Sequence, residues 1–254
     1  MLKAVEKNDG EFLSFCDRDV FGTRIKAYYT CYGTDFDFVK FWAQYGENGE
    51  MTAVVSRIDG DATICAENAD AQELKEFLNI VGFRTVQCEK SLAEKLGGGD
   101  FEQGYVVRCE KAEKYNRAEI KKHFELREIY DIIKPENLTG VGDYLPWLSD
   151  TTYRVNRGAA EGRIAVLDGE NAGCAMVLFR TDCSALLGAV ATRPQFRGRG
   201  AARSLVLGLA EDELRQGRRV ELLCRKSSIV EFYKSIGFDV INEWGLIKNA
   251  AEFL

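Results

Sequence analysis

The sequence predicts a mixed α/β fold, laid out twice along the chain as two mixed-sheet domains in tandem. Three observations predict it. Apolar runs rich in β-formers alternate with segments of helical apolar spacing along the 254 residues, an order that belongs to mixed-sheet folds. An Asp-Gly hairpin signal occurs early in each half, at Asp59-Gly60 and Asp168-Gly169. Each half also contains a helix that stops at a glycine before a strand. Phe77-Leu78-Asn79-Ile80-Val81-Gly82-Phe83 lines up with Phe232-Tyr233-Lys234-Ser235-Ile236-Gly237-Phe238, as an internal duplication would leave it.

In the first half, residues 11–16 read as a short helix and 24–32 are rich in β-formers. Residues 37–45 are aromatic, and 46–49 form a turn signal. Strands are expected at 52–58 and 62–66, joined by the Asp59-Gly60 turn. Residues 69–81 carry helical spacing at Leu74, Phe77, Leu78 and Val81 and stop at Gly82, a C-cap signal. A strand at 83–88, a short helix at 91–96 ended by three glycines and a strand at 104–109 complete this half. Residues 110–122 mix both charge signs with few apolar residues, which places a solvated segment and the domain boundary there. The domains are therefore 1–120 and 121–254.

The second half opens with a strand at 124–129 and helical segments around 130–134 and 142–157. Strands at 162–167 and 172–180 flank the Asp168-Gly169 turn. The apolar run 185–191 is a buried strand, 200–216 a helix, 219–224 a strand, 227–236 a helix and 238–247 the last strand.

Composition limits the chemistry. The net charge is −6, which argues against a nucleic-acid partner. The eight cysteines contain no C-x-x-C spacing and the chain has one histidine, His123, so no zinc site is expected. The thiols read as small buried hydrophobes of a cytoplasmic protein. No run approaches the roughly 20 apolar residues that cross a bilayer. A lone histidine in a charged stretch supplies no Ser-His or Cys-His nucleophile.

The residues that gather the chain's chemistry lie between the 185–191 strand and the helix after it. Thr192-Arg193-Pro194 is followed by Gln195-Phe196-Arg197-Gly198-Arg199-Gly200-Ala201-Ala202. A strand, a glycine-bearing turn and a helix start present free backbone N–H groups to an anion, here a diphosphate. The turn has neither Gly-x-Gly-x-x-Gly spacing nor a Gly-Lys-Ser/Thr ending. In the first half the strand ending at 66 runs almost directly into the next helix, which leaves no room for such a turn.

This stretch resembles motif A of the GNAT superfamily of N-acetyltransferases, Gln/Arg-x-x-Gly-x-Gly/Ala at the head of a helix. Glu231-Phe232-Tyr233-Lys234-Ser235-Ile236-Gly237-Phe238 is similar to that family's Tyr-x-x-x-Gly-Phe ending. The resemblance covers about residues 124–250, and the first half looks like a degenerate copy, as in a tandem GNAT protein. It implies acetyl-CoA as co-substrate and direct acetyl transfer to a primary amine, on a small molecule or a peptide. Backbone N–H groups of Arg197, Gly198, Arg199, Gly200, Ala201 and Ala202 would hold the pyrophosphate, with Gln195 in the motif. Arg197, Arg199 and Arg203 would add charge there or at the 3′-phosphate; otherwise they are solvated surface. Val190, Ala191 and Thr192 would pair with the pantetheine amides, and the N–H near Val190 would polarise the thioester carbonyl.

Tyr233 would protonate the leaving thiolate, a phenol of pKa near 10 against a thiol of about 8–9; ordering the sulfur or packing is the other reading. Two departures stand out. Lys226 occupies the place of a family asparagine, and no carboxylate lies on the 185–191 strand. Asp182, Glu161 and Glu243 are base candidates because they flank strand ends; an ordered water or a neutral amine would remove the need. A non-catalytic acyl-CoA-binding or partner-binding module, and transfer of a longer acyl group, are the competing functions. The first half would wall the substrate cleft or form a homodimer surface.

Overall fold

In the computed structural model, residues 1–121, 123–136, 138 and 141–249 are described; Lys122, at the end of the charged segment, lies outside them. In chain order the elements are β1 (Leu2–Ala4), α1 (Gly10–Phe15), α2 (Val20–Tyr32), β2 (Val39–Tyr45), β3 (Met51–Ile58), β4 (Asp61–Ala66), α3 (Ala71–Val81), β5 (Thr85–Glu89), α4 (Lys90–Gly97) and β6 (Glu102–Cys109). They continue with β7 (Glu119–Lys121), α5 (Leu126–Ile133), α6 (Tyr144–Asn156), β8 (Glu161–Leu167), β9 (Glu170–Arg180), β10 (Ser184–Thr192), α7 (Ala201–Arg215), β11 (Arg219–Cys224), α8 (Ser227–Lys234) and β12 (Phe238–Lys248). Two compact units result: Met1–Val106 with Leu223–Val230 and Val240–Leu254, and Val107–Leu222 with Glu231–Asp239. This partition by compactness differs from a single cut at 120/121.

Within the first unit, β1, β2, β3 and β4 run antiparallel in order and β5 is parallel to β4. The chain's last strand, β12, pairs antiparallel with β5, Trp244 opposite Glu89 through Lys248 opposite Thr85. One face of this sheet is closed by α3 and α4, which bury Leu74, Leu78, Leu92 and Leu96 against Val55, Ile64, Val86 and Ile247. Within the second unit, β7, β8, β9 and β10 run antiparallel and β11 is parallel to β10. There α5 buries Ile129, Ile132 and Ile133 against Ile164, Cys174, Met176 and Ala191. Both Asp-Gly turns form, with positive φ at both residues (46° and 89°, 53° and 82°), the conformation that matches strand twist.

The two units therefore repeat one order of strands, and the repeat has a different register from the one its helix–Gly–Phe endings suggest. The helix between the parallel pair is α3 in the first unit and α7 in the second. By topology α3 corresponds to α7 and α4 to α8. A glycine at a helix C-cap before a strand is too general to fix a register: Gly82, Gly217 and Gly237 all follow helices with positive φ. Ser91-Leu92-Ala93-Glu94 then matches Ser228-Ile229-Val230-Glu231, which sets Leu96, rather than Leu78, against Tyr233. The hydroxyl is absent from the first copy either way.

Two segments differ from expectation. The β-former-rich stretch 24–32 is helical, within α2, whose N-cap Asp19 accepts from the Gly22 N–H. Nearly every α2 residue is buried, so packing on all sides overrides the preference of its tyrosines and Ile25. The strand expected at 124–129 is the start of α5. Its residues alternate over 124–126, but Glu125 and Glu128 form a reciprocal capping box and Ile129, Ile132 and Ile133 follow at helical spacing. The strand lies earlier, at β7.

Candidate functional site

The geometry begins with β10. Its parallel ladder with β11 pairs Ser184 with Arg219 through Leu187 with Leu222 and stops there. The other edge stays paired with β9 as far as Thr192 opposite Gly173. Among the described residues, 188–192 thus leave one edge of backbone amides open. Between Gly188 and Ala191 the β9 register slips by one residue, and Ala189 takes φ 49°. A bulge of this kind turns backbone groups out of the ladder at the start of the open edge, beside Val190. The bulge is anchored by a thiol: Cys174 Sγ donates to the Ala189 carbonyl at 3.4 Å. Burial pushes that thiol up to about 12, so it keeps the proton it donates.

The glycine turn follows. Pro194 opens a short 3₁₀ turn with exposed Gln195 and buried Phe196, which pins the loop to the core. Gly198 and Gly200 have φ of 76° and 89°. At Gly198 a Cβ would meet nothing, so its need is conformational; at Gly200 it would lie 3.1 Å from Tyr115. Gly200 is the N-cap of α7 and no side chain caps that helix. Its carbonyl accepts the first helical bond, from Ser204. The N–H groups of Ala201, Ala202 and Arg203 therefore have no acceptor within the helix.

The three motif arginines differ. Arg197 donates to Glu136 at 2.6 Å and to the Thr192 carbonyl. Arg199 makes a two-pronged pair with Asp168, which holds that carboxyl below the usual range. Arg203 lies over the Tyr115 ring, 4.4 Å from its centroid.

Tyr233 sits on α8, 4% exposed, its ring against Phe232 at 5.2 Å and Phe238 at 5.5 Å. Lys226 opens that helix by its carbonyl, which accepts from Ile229 and Val230. The three base candidates stand in different surroundings. Asp182 precedes β10, at the end opposite the open edge; at about 3.3 Å per residue the strand sets roughly 20 Å between them. Burial pushes Glu161 up, but hydrogen bonds from Arg180 and Arg163 outweigh it and hold the carboxyl low. Glu243 belongs to the first unit, pairs with Lys90 at 3.0 Å and borders a cleft of about 460 Å³ with Gln103, Tyr105 and Lys226.

Diphosphate and amide recognition can be tested against this geometry. Thr192 Oγ1 and Arg193 Nε are buried without a hydrogen-bond partner among the described residues. The strand edge beside them is open and the helix start beyond is uncapped. These provisions fit an elongated ligand carrying amides and then a diphosphate. The bulge at Ala189 and the Cys174 thiol have no sequence signature beyond small residues. All eight cysteines are free thiols. Among the described residues no helix is long and apolar enough to cross a membrane.

Comparisons with known proteins meet this geometry. Residues 160–240 match the family model described as the acetyltransferase (GNAT) domain. No curated protein matches the sequence. A GCN5-related N-acetyltransferase from Sphaerobacter thermophilus has a similar structure, with a TM-score of 0.63 at 17% identity, over 97% of this chain and 94% of that one. A tandem GNAT protein of the clavulanic acid biosynthesis pathway gives 0.61 at 13% identity over 98% of both chains. A GNAT-family acetyltransferase from Colwellia psychrerythraea gives 0.56 at 12%, over 98% and 100%. The fold is that of the GNAT acetyltransferases. Its form here is the tandem one, with the domain match in the second copy.

Proposed function

We propose that this chain transfers an acetyl group from acetyl-CoA to a primary amine by direct attack. The observation that carries the reading is the open edge of residues 188–192 running from a bulge to an uncapped helix start. Val190, Ala191 and Thr192 offer strand-like pairing to the pantetheine amides. Gly198, Arg199, Gly200, Ala201 and Ala202 offer N–H groups to the pyrophosphate. Acetyl-CoA supplies the activated thioester. The Val190 N–H polarises its carbonyl oxygen. The amine nitrogen forms the new C–N bond as the C–S bond breaks. Tyr233 gives its phenolic proton to the departing sulfur and regains one from water, while the nitrogen releases its surplus proton.

A second reading, a non-catalytic acyl-CoA-binding module, is favoured by one observation: each candidate base is either held in ion pairs or sits far from the open edge. An amine that arrives neutral removes the need for a base. Thermal melting with acetyl-CoA and with CoA tests both readings, since a ligand that binds the native state raises the melting temperature. Thiol release over a panel of amines then separates enzyme from binder. No shift with either ligand overturns both; a shift without thiol release from any amine leaves only the binder.

A further inference from the structure

The ladder between β9 and β10 slips twice, and the two slips cancel. Leu186 stands opposite Phe179, but the next pair is Leu187 with Val177, so Leu178 is an extra residue on β9. Gly188 stands opposite Met176, but Ala191 is opposite Cys174, so the second extra residue is on β10, at Ala189–Val190. Ala185 with Arg180 and Thr192 with Gly173 then share one register, and only Leu187 and Gly188 are out of step. A slip of one residue turns side chains to the other face of the sheet. A second bulge of opposite sense returns β10 to its register before the glycine turn. With both ends of the ladder in one register, the bulge at Ala189 lasts only as long as the one at Leu178.

Each bulge has its own anchor. The Leu178 carbonyl accepts from Arg154 Nη1, reaching in from α6. Arg154 is 5% exposed. Asp150, one turn earlier, accepts from its Nε at 3.0 Å and its Nη2 at 2.6 Å, and the Phe179 ring lies 4.7 Å from the guanidinium. A guanidinium is kept buried only where it is paired and hydrogen-bonded. This one directs a donor to a carbonyl just beyond the β8–β9 ladder, which begins at Val177 opposite Glu161. On β10 the Cys174 thiol holds the Ala189 carbonyl. The two bulges also touch: a Cβ on Gly188 would lie 2.4 Å from Leu178 Cδ1, so the bulged leucine occupies the place of the missing side chain. Ala189 at φ 49° is costly for a residue with a Cβ, and the surrounding contacts must hold it there.

We propose that Arg154 is a positioning residue for the thioester end of the site. By holding the Leu178 carbonyl out of the ladder, it keeps Leu187 and Gly188 one residue out of step, and the compensating bulge turns the Val190 N–H toward the open edge. Without that hold the two bulges annihilate, and Val190 comes to lie opposite Ala175 in an unbroken ladder, the register that Ala191 opposite Cys174 extends to it. This rests on the acetyl-CoA reading above and assigns the aim of its polarising N–H to a side chain on α6 that touches none of the reacting atoms.

The test compares the full chain as wild type, R154M and R154M/A189G; R154K, which keeps a charge beside Asp150, replaces R154M where the latter does not fold. The carbon chemical shifts of Ala189 report its φ without any ligand. Infrared difference spectra of acetyl-CoA, isotope-labelled at the thioester carbonyl, report how far that carbonyl is polarised. In wild type the bound band is expected below its solution frequency. In R154M, Ala189 moves to extended values, the band returns toward the solution frequency, and kcat falls on the order of a hundredfold, as on losing one oxyanion donor. KM for acetyl-CoA changes by less than about threefold, because the rest of the open edge is intact. Glycine carries a positive φ freely, so adding A189G restores the band and most of kcat. An R154M protein that keeps the positive φ and the shifted band overturns the assignment. So does a loss that A189G does not restore, which leaves Arg154 a role in stability alone. A wild-type band at the solution frequency removes the polarising role. Ala189 moving in R154M while wild type binds no acetyl-CoA removes the acetyl-CoA reading, and Arg154's part in it, but leaves the coupling of the two bulges standing.

Discussion

Two passages from strand to helix carry the contrast between the copies. In the first unit four residues, Glu67 to Asp70, lead from β4 to α3. Asp70 caps α3 with its own carboxylate, accepting from the Gln72 and Glu73 N–H groups at 3.0 and 3.1 Å. In the second unit eight residues, Arg193 to Gly200, lead from β10 to α7, and a glycine stands at the cap with no side chain bonded there. The strands differ in the same sense. β4 keeps an unbroken register with β3, whereas β10 slips against β9 at Ala189. One helix start is satisfied by a side chain of its own loop, and the other has no side-chain cap. On the proposed acetyl-CoA reading, the helix N-terminus becomes a site by what the loop withholds as much as by what it supplies.

The experiments that would break or sharpen this comparison run from large effects to small. Tyr233→Phe is expected to lower kcat by roughly 10² or more, as loss of a general acid does, with KM for acetyl-CoA little changed; unchanged turnover would leave the phenol only a packing role. Gly200→Asp imports a carboxylate to the α7 start, as Asp70 stands at α3. Affinity for acetyl-CoA should fall on the order of a hundredfold, from a blocked anion seat and a strained φ. Retained affinity would refute the contrast.

Asp70→Ala is expected to cost about 1 kcal/mol of stability by denaturant melting, with the acetyl-CoA-induced shift in melting temperature unaltered. The smallest effect concerns acid. Hydrogen bonds from Lys121, Asn171 and the Glu125 N–H lower the Glu128 carboxyl to about 2. A depressed carboxylate stabilises above its unfolded value near 4.3 and loses that contribution as pH falls toward 2. Urea midpoints of Glu128→Gln should fall less steeply than wild type across that window.

Much of this was legible in the residues. The Asp-Gly turns, the β10 run and the Gly198-Gly200 turn depend on local rules, and the strands appear near where alternation puts them. What failed was set by contacts distant in sequence. The tyrosines of α2 look like strand residues until they are buried on all sides. Glu125 and Glu128 overrule a short alternation at α5. The repeat was visible but its register was not, because helix–glycine–strand occurs after α3, α7 and α8 alike. The segment 110–118 looks like a solvated tether, since nothing in its charges announces that Tyr115 will lie beside Gly200.

The pairing of β5 with β12 has a consequence for how the chain is made. Asn249 Nδ2 donates to the Phe83 carbonyl across 166 positions. The first unit's sheet is closed by a strand synthesised after almost all of the second. Until residue 248 clears the ribosome, β5 presents an unpaired apolar edge to its surroundings or to its neighbours on a polysome. Long-range closure of this kind slows folding. A fragment cut at 120/121 inherits the same defect on both sides, one piece with an open β5 and the other with β12 unpartnered. Aggregation of either piece, relieved by mixing the two, is the behaviour that such an exchanged strand entails.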